Sequence, residues 1–213
     1  MDRERYTQGL GGAKLNVFVL CTGRCGSTTF TRAASHIQNY TADHEGRAQF
    51  LGDERLAYPA NHIEADNRLA WMLGRLEKRF GKDAFYVHLK RNPAEVARSY
   101  NSRWSKIGII SAYRNGILMG AEGADPYDVC VDLVDTIEAN ISAFLADKPR
   151  KMNFEIDTAE RDWIEFWDAI GAEGDRDASL AEWRVAHNPS PPKKSIVERA
   201  IRKAIRLPQE LRA

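Results

Sequence analysis

The sequence predicts an α/β fold, a single domain with a mostly parallel central sheet and helices on both faces, and three observations carry that expectation. The first is an apolar run at residues 15–21 that ends in a glycine turn and feeds a helical stretch. The second is a like unit at residues 85–89, where an apolar run meets Asn92-Pro93 and another helical pattern. The third is a long helical stretch followed by a short strand near residues 152–156 and a further helix. Strands that alternate with helices need crossover connections, which set the strands parallel and cover the sheet on both sides.

In chain order, residues 15–21 have the near-continuous apolar character of a buried parallel strand. From Ser27 to about Ile37, small hydroxyl residues give way to Phe30, Ala33, Ala34 and Ile37 at helical spacing. A second strand is expected at 39–43, then a helix over 66–80 with Leu69, Met72, Leu73, Leu76 and Phe80 on one face and Gly81 as its C-cap. After the strand at 85–89, Asn92 is placed to cap a helix from 93 to about 104, with Pro93 at its first position and Glu95 at its third. Residues 108–125 read as loop with some helix, followed by a helix over 127–146 and the strand at 152–156. Asp157 with Glu160 suggests a capping pair for a helix over 159–170, closed by Gly171. The domain is expected to span 1–185, and 186–213 reads as a Pro-rich basic extension with a helix over 195–206.

Composition narrows the function classes. A chain of 213 residues with 43% hydrophobic residues supports a real core, and a net charge of +1 gives no field that favours nucleic acid. Residues 1–5 lack the apolar stretch of a secretory leader, and no apolar run approaches the roughly 18 residues of a membrane span. A cytoplasmic protein is expected, with the basic C-terminal helix available for peripheral membrane contact. Cys21, Cys25 and Cys130 match no zinc or redox spacing, which suits a reducing compartment, and no metal site is expected.

The chemistry concentrates in the turn Thr22-Gly23-Arg24-Cys25-Gly26-Ser27-Thr28-Thr29. Ligands of open α/β sheets bind beyond the carboxyl ends of the strands, where this turn lies. Gly23 and Gly26 let the backbone approach an anion closely, and Arg24 supplies a planar cationic fork. Ser27, Thr28 and Thr29 start a helix whose free N–H groups favour negative charge. A glycine turn with hydroxyls also serves simply to begin a helix; the arginine inside it is what points to an anion. The nucleoside triphosphatase pattern needs a lysine directly after the second glycine, and Gly26 is followed by Ser27, which disfavours a kinase or ATPase of that P-loop type.

Arg24-Cys25-Gly26-Ser27-Thr28 resembles the 5'-phosphosulfate loop of the sulfotransferases that use 3'-phosphoadenosine-5'-phosphosulfate (PAPS), with Cys25 where serine is usual. Residues 85–100 are similar to the same family's 3'-phosphate segment, an Arg-Asp-Pro pattern with a serine eight residues after the arginine. Arg91 and Ser99 take the matching positions, and Asn92 replaces the common aspartate. The spacing also has a physical basis. Arg91 leaves a strand end and Ser99 lies about two helical turns past the cap, so that both face one side.

The resemblance covers residues 15–171. It implies a P-loop type fold, PAPS as co-substrate, PAP as product, no required metal, and an acceptor hydroxyl on a small molecule, lipid or glycan. It implies that Gly23, Arg24, Cys25, Gly26, Ser27, Thr28, Thr29, Arg91 and Ser99 bind the cofactor, and that Arg24 also stabilises the leaving group. Family bases are a histidine or glutamate after the second strand, where Asp43, His44 and Glu45 stand. Glu45 is placed ahead of His44, with His62 and Glu64 as second candidates. Arg68, Trp71, Arg103 and Trp104 are candidates for an acceptor site, although the tryptophan spacings also suit core packing. The family's C-terminal Arg-Lys-Gly loop is missing, with Lys193, Lys194 or Arg202-Lys203 as candidate replacements, and Thr29 stands where many members have tryptophan. Two other readings stay open: a nucleotide kinase-like phosphotransferase using magnesium and ATP, and a non-catalytic nucleotide-binding module.

Overall fold

The computed structural model describes residues 15–185. Five strands, β1 (Val17–Cys21), β2 (Thr41–His44), β3 (His62–Ala65), β4 (Phe85–Lys90) and β5 (Lys151–Glu155), form one sheet in the order β2-β3-β1-β4-β5. Every pairing is parallel. The crossovers are carried chiefly by the helices α1 (Ser27–Ala34), α2 (Leu73–Arg79), α3 (Pro93–Asn101), α4 (Ile109–Ala112) and α5 (Pro126–Leu145), with α6 (Ala159–Ala169) and α7 (Arg176–Ala181) after the last strand.

Alternation along the strands sorts the core into two layers. Phe18, Leu20 and Tyr86 face the layer of α2, α3 and α5, built on Leu76, Val96, Ala97, Leu133 and Ile137. Val17, Val19, Cys21, Val87, Leu89 and Phe154 face α1 and α6. In that second layer Phe30 of α1 meets Phe154, Trp163 and Phe166 edge-on, with ring centroids 5.3, 5.0 and 5.0 Å away. Edge-to-face pairs of this kind contribute about 0.5–1.5 kcal/mol each beyond area burial, so the first helix is firmly seated behind the loop that precedes it.

The α/β architecture is as the sequence implies, and the cap at Asn92 forms, its side chain accepting from the Glu95 amide at 3.3 Å with Pro93 in the first turn. Four local features differ. Strand β3 has no counterpart in the sequence reading, because its polar His62 and Glu64 hide a fully buried segment. The helix expected over 66–80 breaks into a 3₁₀ turn, Asn67–Trp71, and α2, since Met72 leaves helical geometry at φ −124°. The second strand runs Thr41–His44, one to two residues later than expected. Asp157 and Glu160 do not cap α6; instead Asp162 reaches back and accepts from the Glu155 amide and the Thr158 hydroxyl, both at 2.8 Å. The extension 186–213 and its expected helix lie outside the described residues. Among the described residues, no helix is long and apolar enough to cross a membrane.

Candidate functional site

β1 lies between β3 and β4, so the chain leaves it at a point where connections diverge to either side, the place where ligands of open α/β sheets bind. The loop at that point is wound through left-handed backbone at Gly23 (φ 76°), Arg24 (φ 62°) and Gly26 (φ 91°). Gly26 begins α1 without a side chain to cap it, so the first-turn amides have no intrahelical partner and remain donors for a ligand.

Helix α3 holds this loop from the neighbouring strand. The Tyr100 hydroxyl donates to the Thr22 carbonyl at 2.6 Å, and Gly23 is wedged beneath it: a Cβ there would lie 2.6 Å from that hydroxyl oxygen and 2.7 Å from Asn67 Nδ2. Arg24 Nε donates to Ser99 Oγ at 3.2 Å, while Arg91 Nη1 donates to the Arg24 carbonyl at 3.4 Å. Arg91 is also paired with Glu95, 2.6 Å from Nη2. Arg103 Nη1 donates to both the carbonyl and the hydroxyl of Ser99 at 3.3 Å. Two guanidinium groups, those of Arg24 and Arg103, therefore meet at one hydroxyl, and Arg91 is tied to the Arg24 backbone beside them. Half-burial, and then repulsion from Arg103 and Arg91, lower the proton affinity of Arg24 from its ordinary value.

The Cys25 side chain is closed off from any ligand of the loop, which leaves the residue only its backbone to offer. Its thiol is wholly buried in the α1/α6 layer beside Cys21, where a hydrogen bond between the two and burial raise the Cys21 thiol well above its usual range. An apolar surrounding explains why cysteine suits this position.

On the other flank of the loop, His44 ends β2 with Nε2 3.0 Å from Ser27 Oγ. Glu45 follows in left-handed backbone (φ 57°), with its carboxylate 2.6 Å from Arg68 Nη1. His62 and Glu64 are respectively 2% and 0% exposed, and their polar atoms are engaged inside the fold. They brace the turn instead. Glu64 accepts from the Gly46 amide at 3.0 Å and meets His62 Nε2 at 3.3 Å, and His62 Nδ1 contacts the Thr41 hydroxyl at 2.8 Å. Behind them Asp66 is paired with the buried Arg55.

The structure thus brings together the loop residues, Arg91, Ser99 and His44, and separates the four acceptor candidates. Arg68 is engaged by Glu45, Arg103 belongs with Ser99, Trp104 lies beneath the Arg114 guanidinium at 4.4 Å, and Trp71 packs 6.0 Å from the Tyr113 ring. The place of Arg103 has a signal in the sequence, one helical turn past Ser99 on the same face. The roles of Tyr100 and Asn67 have none.

No family model matches the sequence, and no curated protein sequence matches it. A solved structure, the sulfotransferase domain from the curacin biosynthetic pathway, superposes with a TM-score of 0.57 over 84% of this chain and 81% of that one, at 15% identity. The chain has the sulfotransferase fold. A mouse sulfotransferase, SULT7A1 complexed with PAP, is also similar, with a TM-score of 0.46 and 11% identity over 83% of this chain and 61% of its own. Within this sulfotransferase fold the Gly23–Gly26 turn and the Arg91, Ser99 and Arg103 group stand at the carboxyl ends of adjacent strands, β1 and β4.

Proposed function

We propose that the protein moves a sulfuryl group from PAPS to an acceptor hydroxyl on a small molecule, lipid or glycan. The observation that carries the reading is that Arg24, inside a glycine loop with free helix-start amides, meets Arg103 at Ser99 of the next strand's helix, with Arg91 held against the Arg24 carbonyl. Two anion seats side by side suit a nucleotide with a phosphate on its 3' carbon and a phosphosulfate on its 5' carbon. Gly23 to Thr29 would hold the phosphosulfate, and Arg91 with Ser99 the 3'-phosphate. The free thiols of Cys21, Cys25 and Cys130 suit the cytoplasm.

In the transfer, the acceptor oxygen forms a bond to sulfur as the bond from sulfur to the bridging oxygen breaks. The negative charge released onto the leaving phosphate falls beside Arg24 and the first-turn amides of α1. The acceptor proton goes to a base. The geometry favours His44 over Glu45 for that role, because His44 Nε2 stands against the loop hydroxyl of Ser27 while the Glu45 carboxylate is neutralised by Arg68. Ser27 orients the imidazole, and the Glu64 contact to the Gly46 amide sets the turn that carries it.

Thermal denaturation with added ligands tests the reading. PAP is expected to raise the melting temperature without magnesium, since both seats are made of guanidinium groups, hydroxyls and amides. Equal or greater stabilisation by magnesium-ATP would favour a phosphotransferase. Sulfuryl transfer itself is read as PAP released from PAPS in the presence of phenols, sugars and long-chain alcohols, and its absence with all of them despite PAP binding would leave a nucleotide-binding module. Arg91→Ala is expected to weaken PAP binding about tenfold or more, the scale of a charge-assisted hydrogen bond, and Ser99→Ala by less. Adenosine-5'-phosphosulfate, which lacks the 3'-phosphate, should bind both variants almost as the wild type does. Parallel losses for the two ligands would assign Arg91 and Ser99 a structural role.

A further inference from the structure

We infer that Arg103 is a binding residue that completes the seat for a phosphate monoester dianion, and so makes the site selective for nucleotides phosphorylated on the 3' carbon; this rests on the sulfotransferase reading above. The chain past α3 tightens rather than unravels. The Ser102 amide donates to Arg98 at 3.0 Å and the Arg103 amide to Tyr100 at 2.8 Å, which returns Arg103 to the face that Ser99 occupies. Its side chain is half-buried there. Only Nη1 is engaged among the described residues, by the Ser99 carbonyl and hydroxyl and weakly by the Ser102 hydroxyl at 3.5 Å, which leaves the other guanidinium donors for a ligand.

Charge supports the same conclusion. Arg24 and Arg103 both donate to Ser99, while Arg91, which reaches the Arg24 carbonyl, is neutralised by Glu95. Among the described residues, no carboxylate is paired with Arg24 or Arg103. The surplus of two matches a phosphate monoester, which carries about −1.5 to −2 at neutral pH, better than a phosphate diester or a sulfate ester with a single charge. Burial first, and then repulsion from Arg103 and Arg91, lowers the proton affinity of Arg24, and an anion beside it would relieve the second of these.

The test is isothermal titration of the full chain with PAP and with adenosine-5'-phosphosulfate, which keeps a 5' anion and lacks the 3'-phosphate. Wild type is compared with Arg103→Ala, Arg103→Lys and Arg98→Ala, the last removing an exposed cation from the same helix. Arg103→Ala is expected to lose about ten- to a hundredfold in PAP affinity with adenosine-5'-phosphosulfate affinity unchanged. Arg103→Lys, which keeps the charge and loses the fork, should fall between, and Arg98→Ala should match wild type. Undiminished PAP binding by Arg103→Ala overturns the role of Arg103 alone, as does an equal loss for both ligands in both Arg103 variants or an equal loss in Arg98→Ala. A wild type that binds no PAP overturns the sulfotransferase reading together with this inference.

Discussion

Replacing His44 with asparagine is expected to slow sulfuryl transfer by about a hundredfold to ten-thousandfold, the usual contribution of a positioned general base, with PAP affinity held within about twofold. Asparagine keeps much of the shape and can still hydrogen-bond the Ser27 hydroxyl, which lies 3.0 Å from the imidazole nitrogen. It cannot take the acceptor proton. The informative comparison is Glu45→Gln. In the folded chain that carboxylate is committed to Arg68 at 2.6 Å, so its loss should act through the shape of the turn and be several times milder. The two variants are compared by PAP release from PAPS with whichever acceptor supports turnover. A large loss in Glu45→Gln beside a small one in His44→Asn would transfer the role of base to Glu45.

Gly23→Ala should be the most damaging single methyl group that can be added to the phosphate loop. The new Cβ must adopt φ near 76° and would sit 2.6 Å from the Tyr100 hydroxyl oxygen and 2.7 Å from Asn67 Nδ2. Left-handed backbone costs an alanine about 1–2 kcal/mol, and overpacking against fixed neighbours about 1–3 kcal/mol more. A total of roughly 2–5 kcal/mol corresponds to a fall in melting temperature of about 5–15 °C for a chain of this size. Gly26→Ala meets the Cδ1 methyl of Ile156 at 2.4 Å, a flexible end that can turn away, so backbone strain dominates and a smaller fall is expected. A Gly23→Ala protein that melts within about 2 °C of wild type would show that Tyr100 and Asn67 do not fix this backbone.

What could be read in the sequence was what short-range pattern encodes. The apolar run into the Gly23–Gly26 turn, and the spacing from Arg91 to Ser99 through the Asn92-Pro93 helix start, are local signals, and they located both strand ends that matter. What escaped depends on partners far along the chain. His62 and Glu64 look like surface residues until β2 supplies Thr41 and the turn after it the Gly46 amide, after which burial costs them little because their polar atoms are satisfied. Arg55 and Asp66 are a similar case, eleven residues apart and shut inside together. The Asp162 reach-back to Glu155 replaced an equally plausible cap at Asp157, a choice that local sequence does not decide. Arg103 is the opposite case, since its spacing of four from Ser99 is a local signal for the contact that the turn after α3 makes.

The register of β1 against β4, with Cys21 opposite Leu89, has a consequence for which ligands fit at all. Paired strands stand about 4.8 Å apart and are tied by their backbone ladder. The cradle that follows one and the arginine group that follows the other are joined again by the Tyr100 and Arg91 contacts, so neither can slide without the other. The distance between the two is therefore set by the fold itself. A ligand that engaged both would meet a spacing already set during folding, with little ordering left to be done when it arrives.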